Sequence, residues 1–410
     1  MTLPTNWTEK ALREVATFNP RHSRDLADDL DVSFVPMPAV SHRSRYLLPH
    51  GSRKLSEVKR GYTHFQDGDM LFAKITPCME NGKGAIASDL TNGIGCGTTE
   101  LHVLRPGSSI TSEWIYYFVR QEQFRKEAER NMTGSAGQLR VPLSFLEEQK
   151  IPTPDSVDEQ RRIVAKLDQV TACIDDARAR LDTIPAILKR FRQSILTAAI
   201  SGELTKRDSD ISHWQNTDVQ SVALVGTGST PLRTNSRFYS SQGTPWITSA
   251  ATSQRLVVES QEFVTDEAIT TCRLKRYPAG TLLMAMYGEG KTRGQVTELG
   301  IEATINQACA AIKVDELKAK KEFVKLSLQA NYLKMRDLAE GGNQPNLNLS
   351  KVKEFPLFLP PLDIQTEIVR RVEALFKQAD EIEARYKKSR AFVEKLTPAV
   401  LAKAFRGELV

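Results

Sequence analysis

The 410-residue sequence is poor in the residues that build metal and disulfide sites. Its five cysteines (Cys78, Cys96, Cys173, Cys272 and Cys309) are scattered and odd in number, with no Cys-x-x-Cys pair. That argues against a disulfide framework and against structural zinc. The six histidines form no His-x-x-x-His or His-Glu pair, and His64, Cys78, Cys96 and His102 fit no ligand spacing. No apolar run reaches the roughly 18–20 residues of a membrane span. Met1–Trp7 has neither the basic flank nor the apolar core of a signal peptide, so cytosolic residence is expected. Excess charge of one sign is also scarce. The 56 basic and 50 acidic side chains leave a net +6, which permits nucleic-acid binding without demanding it.

Catalytic signatures are missing as well. There is no Gly-x-Ser-x-Gly elbow, no Asn/Asp-Pro-Pro-aromatic motif of a methyltransferase, and no carboxylate cluster beside a lysine as in a nuclease. The nearest approach is Ala285-Met-Tyr-Gly-Glu-Gly290-Lys291-Thr292, which follows a strand-like run and matches a relaxed phosphate loop. A helix should follow it, yet the chain continues Arg293-Gly294-Gln295-Val296-Thr297, of β type. Glu80-Asn81-Gly82-Lys83-Gly84 stands at the corresponding earlier place, so the motif reads as a repeated Gly-Lys turn. A chain without catalysis, metal or cofactor of its own is expected.

What the chain does have is a duplication. Gln160–Leu204 and Gln365–Leu409 align without a gap at an offset of 205 residues, and both end on Gly-Glu-Leu. The first copy carries Ile163, Leu167, Val170, Ile174, Ala177, Leu181, Ile184, Leu188, Phe191 and Ile195 at spacings of four and three, the a/d seam of a coiled coil. Nine of the ten equivalents are apolar, with Ser389 the exception. The expected core of the helix pair is Ile163, Leu167, Val170, Ile174, Leu181, Leu188, Ile368, Val372, Leu375, Ile382, Val393 and Leu396. The first set spans about 50 Å as a helix. Pro185 and Pro398 should kink or restart the helices. Antiparallel pairing of the two would give the halves an approximate twofold relation.

Each helix follows a globular part, and the two parts share an order of elements. The expected division is a first module over 1–150, a first helix over 151–206, a second module over 207–355 and a second helix over 356–410. In the first module Met70–Ile75 has strand length and Thr99–Leu104 alternates. Trp114, Phe118, Gln121, Phe124 and Ala128 then mark one amphipathic helix capped near Thr111 or Ser112. In the second, Thr281–Met286, Asn306–Ile312 and a helix over 319–339 follow in the same sequence. Aligning Gly93 with Gly300 sets Thr99-Glu100 opposite Asn306-Gln307. The fold class is therefore α+β: two similar α/β modules joined and spaced by two long antiparallel coiled-coil helices. Basic and amide side chains in Gly-interrupted loops are the types that hold phosphates and read base edges. The candidates are Lys74, Thr76, Asn81, Lys83, Gln138 and Arg140 in the first module. In the second they are Arg233, Thr248, Ser249, Tyr287, Lys291, Arg293, Gln295, Asn343 and Gln344.

These residues carry a resemblance over essentially the whole chain. Phe72-Ala-Lys-Ile-Thr-Pro-Cys-Met-Glu-Asn-Gly-Lys83, Gly97-Thr-Thr-Glu-Leu-His-Val-Leu104, Met284–Gly294, Asn306-Gln-Ala-Cys309, Gly342-Asn-Gln-Pro-Asn346, Ile184–Gln193, Pro360–Gln365 and Leu401–Leu409 together resemble the specificity (S) subunits of type I restriction–modification systems. The resemblance implies two target-recognition domains, each reading half of a split, asymmetric double-stranded DNA site, with the helices as a ruler for the unread spacer. It implies two adenine methyltransferase (M) subunits and restriction (R) subunits as partners in a prokaryotic cytoplasm. S-adenosylmethionine, ATP and Mg would belong to those partners. The exposed coiled-coil ends near Gly202 and Gly407 would be docking places. The rival readings are a phosphate-loop NTPase with coiled-coil arms and a non-catalytic coiled-coil scaffold.

Overall fold

The computed structural model describes residues 3–135, 137–205, 211–288, 291–338 and 347–409. The chain divides into two units, Met1–Asp182 with Lys387–Val410, and Thr183–Tyr386. Each holds one module and a stretch of both long helices.

In the first unit the apolar run Met70–Ala73 becomes a strand with both faces covered. It lies in an antiparallel sheet ordered Ala16–Phe18, Leu101–Pro106, Met70–Ala73, Gly84–Ile86. The two-residue period of a strand sends alternate side chains to opposite cores. Met70, Phe72 and Leu104 pack with Trp114 and Ile115 of the helix Ser112–Val119. Leu71, Ala73 and Val103 pack with Val35 and Phe65 of a second sheet. That sheet is ordered Gly51–Lys54, Asp31–Val35, Ile94–Gly97, Thr63–Gln66, and its central pair is parallel. Trp7–Ala11 pairs with Lys150–Pro154 at the module's base.

The second unit repeats this plan. Its first sheet is Ala223–Thr227, Cys309–Val314, Leu282–Ala285, Val296–Glu298, and its second is Tyr239–Ser240, Phe263–Val264, Thr244–Ile247, Thr304–Ile305. Leu282, Met284 and Ile312 face Phe323, while Leu283 and Ala311 face Ile247 and Ile305. Again one pair, Thr244–Ile247 with Thr304–Ile305, is parallel. Gln215–Asp218 with Pro356–Leu359 closes the base. Both stretches expected as spacer, 151–206 and 356–410, therefore open inside a base strand.

The long helices run Val157–Ile200 and Leu362–Ala404. Neither Pro185 nor Pro398 restarts them: each lies inside one continuous helix. They pair antiparallel within each unit. In the first, Arg178 meets Glu394 (3.5 Å) and Asp182 meets Arg390 (3.2 Å). In the second, Arg192 meets Asp380 (2.7 Å) and Glu383 (2.8 Å). Ile163, Leu167, Ile174, Leu188, Ile368, Val372 and Val393 are buried as expected, with Val170, Leu181, Leu375 and Leu396 half-buried. Ile382 is a correction: it is 46% exposed, because its neighbour Glu383 takes the facing position to reach Arg192.

Two further expectations give way. The helix expected from 111 to 128 is two, Ser112–Val119 and Glu122–Arg130, broken where Gln121 turns extended. The break lets Phe118 and Phe124 meet at 5.2 Å in the core. Thr111 does cap the first, accepting from Trp114 N–H at 3.2 Å. The second module likewise has Lys321–Ala330 and Tyr332–Asp337. The helix ends at Gly202 and Gly407 are not free: a Cβ on Gly202 would strike Ile211, and one on Gly407 would strike Pro4.

Candidate nucleic-acid interface

Backbone hydrogen bonds set the correspondence between the modules. Ala73 N–H donates to Lys83 O (3.2 Å), and Ala285 N–H donates to Gln295 O (3.0 Å). The preceding Gly82 and Gly294 both sit at positive φ, 72° and 82°. Lys83 is thus equivalent to Gln295, not to Lys291, which falls where the first module has Met79. The expected repeated Gly-Lys turn is Gly-Lys in one module and Gly-Gln in the other. Similarly, Lys74 N–H donates to Glu100 O (3.0 Å) and Met286 N–H to Ala308 O (2.8 Å). Glu100 stands opposite Ala308, one residue beyond the expected Gln307. Matching letters misplaced both turns.

The phosphate-loop pattern has no phosphate-loop structure. After Leu282–Ala285 the chain returns as the antiparallel strand Val296–Glu298, so no helix N-terminus follows the turn. Glu289 and Gly290 lie outside the described residues.

In the first module the structure gathers four candidates. Thr76 N–H donates to Leu139 O (3.0 Å) and Val141 N–H to Lys74 O (2.9 Å), which places Lys74 and Thr76 beside Gln138 and Arg140. Arg140 grips Glu100 with two hydrogen bonds, Nε at 2.8 Å and Nη2 at 2.7 Å, and reaches Gln138 O at 3.0 Å. Those bonds hold the Glu100 carboxyl below its usual range. Burial pushes the Lys74 ammonium down, opposed by the attraction of Glu100. The Thr76 hydroxyl donates to Glu80. Lys83 and the exposed Asn81 belong to the following turn and face other neighbours, with Lys83 Nζ at 3.4 Å from Met37 O.

In the second module Lys291, Arg293 and Gln295 share one turn, and the helix beyond Asn331 holds its backbone. Tyr332 donates to Lys291 O (2.7 Å), and Arg336 to Arg293 O (3.5 Å). Tyr287 precedes them, exposed. Arg233 is elsewhere, bonded to Glu262 and stacked 4.9 Å from both the Tyr239 and Trp246 rings. Thr248 and Ser249 open a short turn, Ser249–Ser253. Asn343 and Gln344 lie outside the described residues.

Sequence reasoning missed the basic side chains around the Asn81 turn. Arg120 donates to Gly82 O (3.1 Å) and His42 O (2.7 Å), and Arg125 to Glu80 O (2.7 Å). For Arg120 and Arg125 the sequence offered no signal of its own; the neighbouring stretch 42–60, with six basic residues and one acidic, marks only the Arg43 side of the same turn. Among the described residues no set of three or more His, Cys, Asp and Glu could hold a metal. His64 and Cys96 are strand neighbours, but His102 is spent donating to Val141 O (2.9 Å) in other surroundings. Among the described residues, too, no helix is long and apolar enough to cross a membrane.

The model of the type I restriction modification DNA specificity domain matches residues 4–186 and again 211–389. The chain belongs to that family. The specificity subunit of the EcoEI type I restriction enzyme from Escherichia coli is 29% identical over 479 aligned positions, covering 93% of this chain and 80% of the relative. That of EcoAI, also from E. coli, is 45% identical over 175 residues, 42% of this chain and 29% of the relative. The HsdS subunit from Thermoanaerobacter tengcongensis superposes with a TM-score of 0.71 at 19% identity, covering 100% of this chain and 98% of that one. A chain from a type I R-M system, solved for its complex assembly and conformational transition, gives 0.78 at 18% identity over the full length of both. At such identities these structures speak for the fold. The chain is a type I specificity subunit with two DNA-recognition domains, the non-catalytic recognition component of a type I restriction-modification system.

Proposed function

We propose that this specificity subunit reads a split, asymmetric DNA sequence, one half per module, and docks two adenine methyltransferase subunits together with restriction subunits. The observation that carries the reading is one backbone plan used twice with unlike chemistry at matched places: Lys74 and Met286, Lys83 and Gln295, Glu100 and Ala308. Two readers of the same build but different side chains suit a target whose halves differ. The loops bearing Lys74, Thr76, Asn81, Lys83, Gln138 and Arg140, and those bearing Arg233, Thr248, Ser249, Tyr287, Lys291, Arg293 and Gln295, form the proposed DNA face. The paired helices set the number of unread base pairs between the halves.

Docking of two like partners has its own support. Ile187 is 58% exposed and Phe392 64% exposed, although both lie on helices otherwise packed by apolar residues. They are separated by the repeat offset of 205 residues and so occupy the same place in each copy. Two equivalent exposed apolar side chains suit two copies of one partner. S-adenosylmethionine, ATP and Mg are assigned to the partner subunits. The test is to map methylated adenines in a genome carrying this chain and its methyltransferase, with and without exchange of residues 1–150. One half of the methylated sequence is expected to change; two unchanged halves would refute the assignment.

A further inference from the structure

The first unit contains a cleft of about 530 Å³ between its module and its helix pair, with more positive charge than the packing neutralises. The cleft's three carboxylates are engaged. Asp168 accepts from Arg45 and from Tyr117, both at 2.5 Å. Asp175 is bound to Arg178, and Glu394 to Arg178 and Arg390. Four other cations in and around the cleft meet carbonyl oxygens or solvent instead. Arg120 and Arg125 bond the carbonyls of Gly82, His42 and Glu80, and Lys83 that of Met37. Arg43 is exposed on the cleft wall. A carbonyl orients a guanidinium without cancelling its charge. The one acid whose attraction raises Arg125, Glu122, is itself paired with Lys126 at 2.6 Å. The field registers in neighbouring groups. Burial and then Arg120 hold the Arg125 guanidinium below its usual range, whereas the carboxylate-bound Arg105 and Arg140 are raised. His42 is lowered by burial, then by Arg43, Arg120 and Lys83.

The second module repeats this only in part: Arg336 donates to Arg293 O (3.5 Å) much as Arg125 does to Glu80 O, but two of the cations are replaced. Gln160 accepts from Thr111 N–H and Gln365 from Lys320 N–H, which brings the two helices into register and sets Arg120 opposite Gln329. Gln329 donates to Val296 O at 3.4 Å, and Gln295 stands where the first module has Lys83. The second unit has its own cleft, lined in part by Gln295 and Gln329, and its cations lie beside acids: Lys325 by Glu298 (3.2 Å), Arg192 by Asp380 and Glu383 (2.7 and 2.8 Å), and Arg255 by Asp380 (3.9 Å). Two cations in one module are two amides in the other.

We propose that Arg43, Lys83, Arg120 and Arg125 form a phosphate-binding site present in the first module only, filled by a phosphodiester group of the bound DNA. The inference rests on the DNA-reading function proposed above and adds to it an asymmetry of grip: one module's hold is strongly ionic at this place and the other's is not. The same chemistry would admit the phosphate of a free nucleotide, and the experiment separates the two sources.

The full-length chain, assembled with its methyltransferase partner, is titrated with its target duplex over roughly 50 to 200 mM salt. The variants are Arg43→Gln, the pair Lys83→Gln with Arg120→Gln, and the transfer pair Gln295→Lys with Gln329→Arg. Loss of each phosphate contact should lower the log–log salt slope by about one, and the transfer pair should raise it. Arg43→Gln alters an exposed side chain, so a folding defect in the double variant leaves the question open to measurement. A second arm adds pyrophosphate and follows the melting temperature. Stabilisation of the unsubstituted chain but not of the variants, with unchanged DNA slopes, would assign the site to a free phosphate ligand. Unchanged slopes together with equal pyrophosphate response in every variant would overturn the site. Failure of the unsubstituted complex to bind DNA sequence-specifically would instead strike at the function itself.

Discussion

Gln160 and Gln365, 205 residues apart, make the same buried hydrogen bond. Each side-chain oxygen accepts the backbone N–H that opens its module's helix, Thr111 at 3.1 Å and Lys320 at 2.7 Å. Each side-chain amide then donates to a backbone carbonyl, Ser109 at 2.9 Å or Pro360 at 2.8 Å. A long helix is thereby joined to a recognition module by one residue, twice. Replacing either with Met leaves a buried donor and acceptor unmet, and should cost about 1–3 kcal/mol. Urea unfolding of the full chain checks this; a loss within error would mean that the amides are not needed at the joint.

The paired helices offer a direct contrast. Leu167 is fully buried, and Leu167→Ala should destabilise by about 2–5 kcal/mol. Ile382→Ala, at an exposed position in the same heptad pattern, should stay within about 0.5 kcal/mol. Equal effects in thermal melts would reverse the assignment of Glu383, rather than Ile382, to the helix interface.

How far the letters led can be judged from these positions. The strand Met70–Ala73 and its counterpart Leu282–Ala285 were legible because a short run of apolar residues that follows a Gly turn has few other uses than a buried strand. The heptads were legible because 3.5-residue periodicity survives divergence. What was not legible is anything decided by a partner distant in sequence. Ile382 reads as core, yet Arg192 across the helix pair draws Glu383 inward. Lys291 reads as the repeat of Lys83, but strand register gives that place to Gln295. Arg120 and Arg125 carry no sequence signal, yet they hold a turn some forty residues earlier.

Acid should weaken the first module. His102 donates through Nε2 to Val141 O, while its Nδ1 is buried without a partner, and burial lowers its pKa to about 4. Between that value and the ordinary 6.5 the unfolded chain binds a proton that the folded one refuses. Stability is therefore full above about pH 6.5 and falls as the pH drops toward 4, by ~3 kcal/mol at most. His22 and His64, stacked at 4.5 Å and both lowered chiefly by burial, act in the same direction. Melting temperatures from pH 7 to 5 should fall, and less steeply in His102→Gln; parallel curves would exclude His102 as the source.

Asp69, 1% exposed, receives two hydrogen bonds of 2.8 Å from Arg105. Asp69→Asn removes the charge that the half-exposed guanidinium opposes and should cost about 2 kcal/mol. The second module has Thr281 at this place. An Asp69→Asn chain as stable as the parent in denaturant titration would show that the first module, too, does without the pair.

The exposed apolar side chains give a stoichiometry test. Ile187→Asp and Phe392→Asp should each reduce co-purified methyltransferase from two copies to one, and together to none, because charge on an apolar interface costs more than the contact returns. Undiminished recovery by mass measurement would place docking elsewhere.

Apolar heptads alone tolerate sliding by seven residues, since each step restores the same pattern. The charged stretch described above, Arg178, Asp182, Arg390 and Glu394 in one unit and Arg192, Asp380 and Glu383 in the other, does not tolerate it. A one-heptad slip is about 10 Å along a helix, close to three base-pair steps of B-form DNA at roughly 3.4 Å each. These few ions therefore act as a detent against sliding, and under the ruler role proposed for the helices the gap counted in base pairs depends on them.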